Sequence, residues 1–401
     1  MISGFDVMPV RPDENDIVFM KEALREARKG IGFTSPNPMV GAVIVRDGMI
    51  LSRGYHKRAG EPHAEVDALS KVEGRAKGST LYVNLEPCNH HGRTPPCTEA
   101  ILAAGLKRVV VGMRDPNPDV KGKGCEYLES RGVEVTEGVL GDEARELNEV
   151  FIKYSLTRRP FVILKSALTL DGWTASSTGH ARWVTNERSR SYVHKLRAMV
   201  DGVLVGVGTV IADDPMLTVR TEGRSNKNPV RIIADSSLRT SLASKIVMDL
   251  SKARTIIAVG SGVDEKKVEK LKAHGVEILI CPLRGGRIDL PALMDLLGGI
   301  SVTSLLVEGG AQIAGSFLRE GLVDKLCVFL APKLLGGGDG IPMAEGPGAQ
   351  NMGECINLSK VKVKKMAGDI MITGYPDYRG TRCSLLHADC KGTFDPADGE
   401  N

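Results

Sequence analysis

Aromatic residues make up only 4% of this 401-residue chain. A platform that stacks single-stranded bases needs more of them. Charge is close to balanced: 53 Lys and Arg stand against 49 Asp and Glu, a net of +4, so no broad basic surface announces nucleic acid. No apolar run reaches the about 20 residues of a membrane-spanning helix. Residues 1–14 hold no apolar signal core. Eight cysteines are too few for a secreted disulfide scaffold of this length. These absences predict a cytoplasmic enzyme with neither a nucleic-acid nor a membrane partner.

The length exceeds one ordinary core and predicts two or three domains. The first half reads as α/β. Residues 16–29 are amphipathic, with Met20, Ala23, Leu24 and Ala27 on one face and Gly30 as the stop. Residues 40–45 and 49–53 form a strand pair around Arg46-Asp47-Gly48. Strands at 80–85, 108–112 and 133–136 alternate with helices that start near His63 and cover 96–104, 125–130 and 143–156. Such alternation predicts a mostly parallel sheet covered on both faces. Arg158-Arg159-Pro160 marks a boundary. A second α/β pattern follows, with strands from Phe161 and at 203–207, 230–234, 255–259, 276–280, 305–307, 325–330 and 369–374. Helices fall at 265–272, 290–297 and 312–319, and the residues after Pro376 read as a polar, loose tail.

One constellation stands out: His63-Ala64-Glu65, then Pro87-Cys88, then Pro96-Cys97. An imidazole and two thiols make three zinc ligands, and an open fourth position for water distinguishes a catalytic zinc from a structural one. Cys88 ends a strand and Cys97 opens a helix, where the dipole favours thiolate. Zinc lowers the pKa of bound water to about 7. Glu65 is placed to take that proton and pass it to a departing amine, the logic of the zinc deaminases. A structural knuckle is the alternative, with His90 or His91 as fourth ligand, but it has no need of Glu65. The two cysteines lie nine positions apart, unlike the Cys-x-x-Cys of cytidine and tRNA-adenosine deaminases. The polar loop between them offers His91, Arg93 and Thr94 to an anionic group, or is simply solvated. Cys125, Cys281, Cys327 and Cys355 read as buried apolar thiols. Cys383 and Cys390 flank His387 in the tail without a fourth ligand.

In the second half, Gly206-Val-Gly208 follows an apolar strand, but Ile211 occupies the third glycine position of a dinucleotide fingerprint. Glu308-Gly-Gly-Ala-Gln312 leaves a strand and enters a helix. It suits either a pyrophosphate at a helix N-terminus or an ordinary tight turn. Asp171 is either a proton donor or a turn residue.

The motifs Asn37-Pro-Met-Val-Gly-Ala-Val, His63-Ala-Glu65, Glu86-Pro-Cys-Asn-His-His-Gly-Arg-Thr-Pro-Pro-Cys97 and Asp115-Pro-Asn-Pro118 resemble the bifunctional riboflavin-biosynthesis deaminase/reductases. The resemblance continues through Leu170-Asp-Gly172, Trp183-Val-Thr185, Val205-Gly-Val-Gly-Thr209, Asp213-Asp-Pro215, Leu217-Thr-Val-Arg220, Val307-Glu-Gly-Gly310 and Ala331-Pro-Lys-Leu334. The long cysteine spacing is what this family shows. The resemblance implies a cytidine-deaminase-like α/β/α domain over 14–157, a dihydrofolate-reductase-like α/β domain over 158–376, and a tail over 377–401. It implies one zinc per chain and deamination of a 2,5-diamino-6-ribosylamino-pyrimidinone 5′-phosphate. It further implies NADPH-dependent reduction of the ribosyl group to ribityl, and a homodimer or homotetramer.

By the same resemblance, Glu65 is catalytic and His63, Cys88 and Cys97 hold zinc. Ala167, Trp183, Thr209, Asp213, Gly310, Ala311, Gln312, Ile313, Ala314, Gly315 and Ser316 align with NADPH contacts. Ala181, Arg197, Leu217, Arg220 and Glu308 align with substrate contacts. Ala181 stands where the family often has Ser. Two arginines suit a sugar phosphate, since guanidinium binds phosphate bidentately. Trp183 and Arg197 also read as a packed indole and a helix-surface charge. The alternative for the whole chain is a zinc deaminase joined to an inactive reductase-like dimerisation domain.

Overall fold

The computed structural model describes residues 13–90, 95–118, 123–220 and 227–379. The chain divides into two compact units between Leu156 and Thr157. No helix among the described residues is long and apolar enough to cross a membrane.

The first unit runs α1 (Glu14–Ala27), β1 (Gly41–Arg46), β2 (Met49–Tyr55), α2 (Ala64–Leu69), β3 (Thr80–Val83), α3 (Cys97–Ala103), β4 (Arg108–Val111), α4 (Gly124–Ser130), β5 (Glu134–Thr136), α5 (Gly141–Leu147) and α6 (Glu149–Thr157). Its sheet has the order β2-β1-β3-β4-β5. It is mixed rather than mostly parallel. The hairpin at Asp47-Gly48 reverses β2, and the α2 crossover then lays β3 on the far side of β1, so both neighbours of β1 are antiparallel to it. The pairs β3–β4 and β4–β5 are parallel.

Two glycines let helices touch this sheet on opposite faces. A Cβ at Gly41 would meet the Ala23 carbonyl of α1 at 2.1 Å, and one at Gly54 the Ala64 carbonyl of α2 at 2.3 Å. Gly54 pairs with Ala42, the next residue along β1, so the two approaches come from opposite sides. Ala42, Val43, Ile44 and Val45 are accordingly all buried. One charge lies under α1. Asp16 accepts two bonds from Arg108 at 2.8 Å and one from Tyr82 at 2.9 Å, tying α1 to β3 and β4. The expected single helix over 143–156 is broken at Asn148, whose side chain is needed elsewhere, as described below.

The second unit contains β6 (Phe161–Thr169), β7 (Trp173–Ala175), α7 (Glu187–Met199), β8 (Gly202–Gly206), α8 (Val207–Asp213), β9 (Val230–Ala234), α9 (Lys245–Met248), β10 (Thr255–Val259), α10 (Glu265–Ala273) and β11 (Glu277–Ile280). A short hairpin, β12 (Leu283–Arg284) and β13 (Arg287–Ile288), leads to α11 (Leu290–Gly299), β14 (Ser304–Val307), α12 (Ala311–Arg319), β15 (Lys325–Ala331), β16 (Ile341–Pro342), β17 (Asn357–Met366) and β18 (Asp369–Asp377). Nine strands form one sheet in the order β11-β10-β9-β8-β14-β6-β15-β18-β17. The strands from β11 to β15 run parallel, and β18 and β17 close the edge antiparallel.

Alternation along the strands sorts the core. Leu204, Leu305 and Val307 pack with Leu293 and Leu297 of α11 and with Ala314 and Phe317 of α12. Val203, Val205 and Leu306 pack on the other side with Val193 and Leu196 of α7, Val210 of α8 and Leu271 of α10. The last strand runs past the expected Gly374 to Asp377, and Tyr378 beyond it is buried, its hydroxyl donating to the Val323 carbonyl at 3.3 Å. The ordered sheet therefore extends into what reads as tail. Cys383, His387 and Cys390 lie outside the described residues, as do His91, Arg93 and Thr94.

Candidate functional site

His63 caps α2 in an extended conformation, Cys88 sits in the loop after β3, and Cys97 is the first residue of α3. Their ligand atoms all lie within 4.8 Å of one another. His63 turns Nδ1 to both sulfurs, 3.2 Å from Cys97 Sγ and 3.4 Å from Cys88 Sγ. The Cys97 amide donates to Cys88 Sγ at 3.4 Å, and the Thr98 amide donates to the Cys88 carbonyl at 3.3 Å. The N-terminus of α3 thus grips Cys88 at two atoms. Bonds from Cys97 and His63 bring the Cys88 thiol down to about 4, a thiolate, while Cys88 and burial push Cys97 up. Two sulfurs and one imidazole nitrogen on converging vectors are a zinc donor set.

Glu65, in the first turn of α2, is 3% exposed. Burial, aided by Cys88, raises its carboxyl to about 7. Among the described residues its Oε2 has no hydrogen-bond partner. A buried, unpartnered carboxylate oxygen beside three metal donors is suited to exchange protons with something that enters between them.

The surrounding loops are held by polar clamps. Glu86 accepts from the amides of Asp115 at 3.1 Å and Cys125 at 3.2 Å, joining the Cys88 loop to the Asp115 loop. Gly124 lies so close that a Cβ there would be 2.0 Å from the Pro87 carbonyl. Burial, with Glu86 nearby, raises Asp115 to about 6. Met39 is fixed from two sides. Asn148 accepts from its amide at 2.8 Å and donates to its carbonyl at 3.1 Å, and Asn84 donates to the same carbonyl at 3.0 Å. Sequence reading misses His56. It is 2% exposed, and its ring meets that of His63 edge-on at 5.5 Å. Nδ1 faces the Pro62 carbonyl at 3.1 Å and so carries the proton, which leaves Nε2 to accept from Asn37 Nδ2 at 3.1 Å. No spacing rule links His56 to the triad, so nothing local marks it.

In the second unit the helices that follow the adjacent strands β8 and β14 depart to opposite faces, α8 to one and α12 to the other. The crevice between them is a topological switch point, where open α/β sheets bind ligands. Both helices start on a glycine, Gly206 and Gly310, without a side-chain cap, so their first amides are open. Thr209 joins them: its Oγ1 accepts from the Gly310 amide at 3.1 Å. Along α12, Ala311 and Ala314 are buried against protein, and the Ser316 hydroxyl donates to the Gln312 carbonyl at 2.9 Å. A Cβ at Gly315 would meet the Glu345 carbonyl at 2.1 Å, so that residue faces the Glu345 segment. The exposed start of α12, around Gly310 and Gln312, is what remains open to a cofactor.

Arg197 and Glu308 are brought together. Arg197 donates to both carboxylate oxygens at 2.6 and 3.0 Å and to the Thr218 carbonyl at 3.1 Å. Lys165 Nζ stands 4.0 Å from Glu308. Burial pushes the Glu308 carboxyl up, but Arg197 outweighs it and the net shift is downward. Arg197 is thus a paired, largely buried cation and not a helix-surface charge. Trp183 is no packed indole either. It is 61% exposed under the Arg190 guanidinium, 4.4 Å away, and its carbonyl accepts from Lys333 at 2.7 Å. Leu217 is buried in a left-handed conformation (φ 52°). Arg220 is exposed, and its amide donates to His194 Nδ1 at 3.3 Å. Ala181 is exposed, and its carbonyl accepts from the Val184 amide. Ala167 lies on β6 opposite Phe329, and Asp213 ends α8. Asp171 accepts from Thr169 Oγ1, the Leu335 amide and the Gly336 amide, which lower it to about 2. It is a loop clamp and holds no proton to give. Cys125, Cys281 and Cys327 are buried as expected, while Cys355 is only partly covered.

A family model described as the RibD C-terminal domain matches residues 160–372. One described as the cytidine and deoxycytidylate deaminase zinc-binding region matches residues 13–113. The riboflavin biosynthesis protein RibD of Aquifex aeolicus (strain VF5) is 47% identical over 359 residues, 90% of this chain and 98% of that protein. RibD of Escherichia coli (strain K12) is 40% identical over 371 residues, 89% of this chain and 98% of that protein. Among solved structures, Acinetobacter baumannii RibD superposes with a TM-score of 0.81 at 36% identity, covering 90% of this chain and 99% of that one. A diaminohydroxyphosphoribosylaminopyrimidine deaminase/5-amino-6-(5-phosphoribosylamino)uracil reductase from Thermotoga maritima gives 0.80 at 35% identity, with 90% and 99% covered. With both units matched and the match running through nearly the whole of each relative, the chain belongs to the RibD family of riboflavin biosynthesis proteins.

Proposed function

We propose that the first unit deaminates a 2,5-diamino-6-ribosylamino-pyrimidinone 5′-phosphate, and that the second reduces the ribosyl side chain of the product to ribityl. Family membership makes the chain a bifunctional deaminase/reductase that uses zinc and NADPH, with a cytidine-deaminase-like and a dihydrofolate-reductase-like domain. The observation that carries the residue assignment is the convergence of His63, Cys88 and Cys97 beside the unpartnered Glu65 oxygen. The domain limits that go with it are 14–157 and 158–376, with β18 carrying the ordered second unit on to Asp377 and the buried Tyr378.

In this reading His63 Nδ1 and the two sulfurs would hold a zinc ion, which would supply the Lewis acidity that brings the pKa of water to about 7. Glu65 takes a proton from the attacking water and returns it to the departing amine. Its burial beside the donor set, away from bulk water, suits both halves of that task. Thr98 and Cys97 orient Cys88, and Glu86 holds the loop that carries it.

In the second unit the open amides at the start of α12 would receive the pyrophosphate of NADPH, which would supply the hydride when bound. Glu308, held by Arg197, orients sugar hydroxyls. Arg220, exposed at the mouth, binds the sugar phosphate. Asp171 holds the loop at Leu335 and Gly336 and takes no part in proton transfer.

The cytoplasm is the proposed location. A homodimer or homotetramer is the proposed assembly. It is supported by an apolar sheet face that continues past the helices onto β18 and β17, where Val361, Val363 and Ile370 are 51%, 65% and 38% exposed. Light scattering of the purified chain measures that state.

The deciding experiment incubates the zinc-loaded protein with the pyrimidinone substrate, with and without NADPH, and identifies products by mass spectrometry. Deamination in both tubes, and reduction only with NADPH, is expected. Deamination alone in both would refute the reductase assignment and favour the inactive-domain alternative. No deamination would make the triad a structural site.

A further inference from the structure

We propose that the groove between α7 and β17 binds a phosphoryl oxyanion, at a site that shares no residue with either reaction centre. Helix α7 presents Arg188, Ser191, Tyr192 and Lys195 at i, i+3, i+4 and i+7, one stripe of its surface. Lys364 and Met366 of β17 face this stripe across a cavity of about 140 Å³.

The chemistry of the lining is one-sided. Among the described residues it offers one guanidinium, two ammonium groups and two hydroxyls, and no carboxylate. Several other surface guanidinium groups are neutralised by carboxylates: Arg114 by Glu126 and Glu137, Arg254 by Glu277, Arg284 by Asp289 and Glu320. Among the described residues Arg188 and Lys195 have no such partner. Lys364 Nζ lies over the Tyr192 ring, 5.5 Å from its centroid.

Tyr192 is the fixed element. Its ring packs edge-on against Phe329 of the core at 6.1 Å, while no protein group among the described residues bonds its hydroxyl. The buried Met366 closes the floor. Like charges gathered around a concavity repel one another until an anion enters. A guanidinium fork, two ammonium groups and hydroxyl donors around one space match the acceptor oxygens of phosphate. Room for more than a single water is available, since a water takes about 30 Å³ of liquid. A free phosphate ion and the phosphate of a sugar phosphomonoester present the same chemistry here.

The test is calorimetric titration of the full chain with inorganic phosphate and, separately, with ribose 5-phosphate, at constant ionic strength set with chloride. Wild type is compared with the double variant Lys195→Gln/Lys364→Gln and with Arg220→Ala. All of the replaced side chains are exposed, so each variant is expected to fold, and unchanged thermal melting confirms it. Removing two of three cations is expected to weaken phosphate binding about tenfold or more, while Arg220→Ala keeps it and the double variant keeps both basal activities. Tighter binding of ribose 5-phosphate that is equally sensitive to the double variant identifies a sugar-phosphate ligand. Equal affinities identify the free ion. Phosphate binding unaffected in the double variant, or lost only in Arg220→Ala, overturns the proposal.

Discussion

The buried pair Arg197–Glu308 gives the sharpest quantitative prediction. Replace Glu308 with Gln, which keeps the shape and removes the charge. The two partners expose only 12% and 9% of their side chains, so water cannot replace what is lost. Arg197 then keeps the Thr218 carbonyl and one amide oxygen in place of a bidentate carboxylate. Breaking one side of a buried pair costs about 3–5 kcal/mol, most of it the penalty of leaving the other charge unpaired. For a unit of this size each kcal/mol lowers Tm by about 2–4 °C, so a fall of roughly 6–20 °C is expected. Scanning calorimetry of the full chain reads it, and the transition that NADPH raises belongs to the second unit. Replacing both partners together, Arg197→Met with Glu308→Leu, is expected to recover most of the loss, because a hydrophobic pair carries no desolvation penalty. The pH dependence has a definite sign. The folded-state pKa of Glu308 is depressed, so the pair contributes its full stability above the ordinary carboxyl pKa of 4.5 and loses it as pH falls through the lower folded value. A loss below about 1 kcal/mol for Glu308→Gln, or a double variant no more stable than the single one, would refute the reasoning.

Other perturbations separate the two centres. Glu65→Gln is expected to retain zinc, measured by metal analysis, while deamination falls by about a hundredfold or more, the usual worth of a general acid–base group; loss of the metal instead would argue that Glu65 is structural. Gly124→Ala forces a Cβ against the Pro87 carbonyl and so displaces the Cys88 loop. Lower zinc content and deamination with intact reduction are expected, and unchanged zinc occupancy would show that the loop can yield. Arg220→Ala is expected to raise the reductase KM by about tenfold or more with deamination unaffected, and unchanged reduction kinetics would remove Arg220 from the site.

Legibility in the sequence followed the range of the forces involved. The donor residues were readable because His63 and Glu65 stand at the start of α2 and Cys97 at the start of α3, where a helix start decides which way a side chain points, while Cys88 lies in the loop after β3 and not at the expected strand end. Strands such as Val230–Ala234 and Thr255–Val259 were readable as short apolar runs, because both faces of a central strand are covered. β17 was missed for the opposite reason: it is an edge strand of alternating Lys and Val, exposed along most of its length, and carries no burial pattern. The break at Asn148 was hidden because the reason for it, Met39, lies 109 residues away. The pairing of Arg197 with Glu308 spans 111 residues, and two side chains that both align with substrate contacts do not announce that they hold each other. Asp171 was ambiguous until the amides of Leu335 and Gly336 were found on it.

The double clamp on Met39 bears on how the first centre comes into being. Asn84 and Asn148 reach Met39 from distant parts of the chain, and Asn37, two residues before Met39, is the hydrogen-bond partner of His56 against the His63 ring. The segment matched by the zinc-binding family model ends at residue 113, after all three donors but before Asn148. A nascent chain emerging from the ribosome therefore exposes its metal donors before the residue that locks the neighbouring loop has been made. Domains fold as units during synthesis, the N-terminal one first. In this protein the first unit is complete only once the joint between α5 and α6 has emerged, so a fragment cut at residue 113 carries the ligands without the lock.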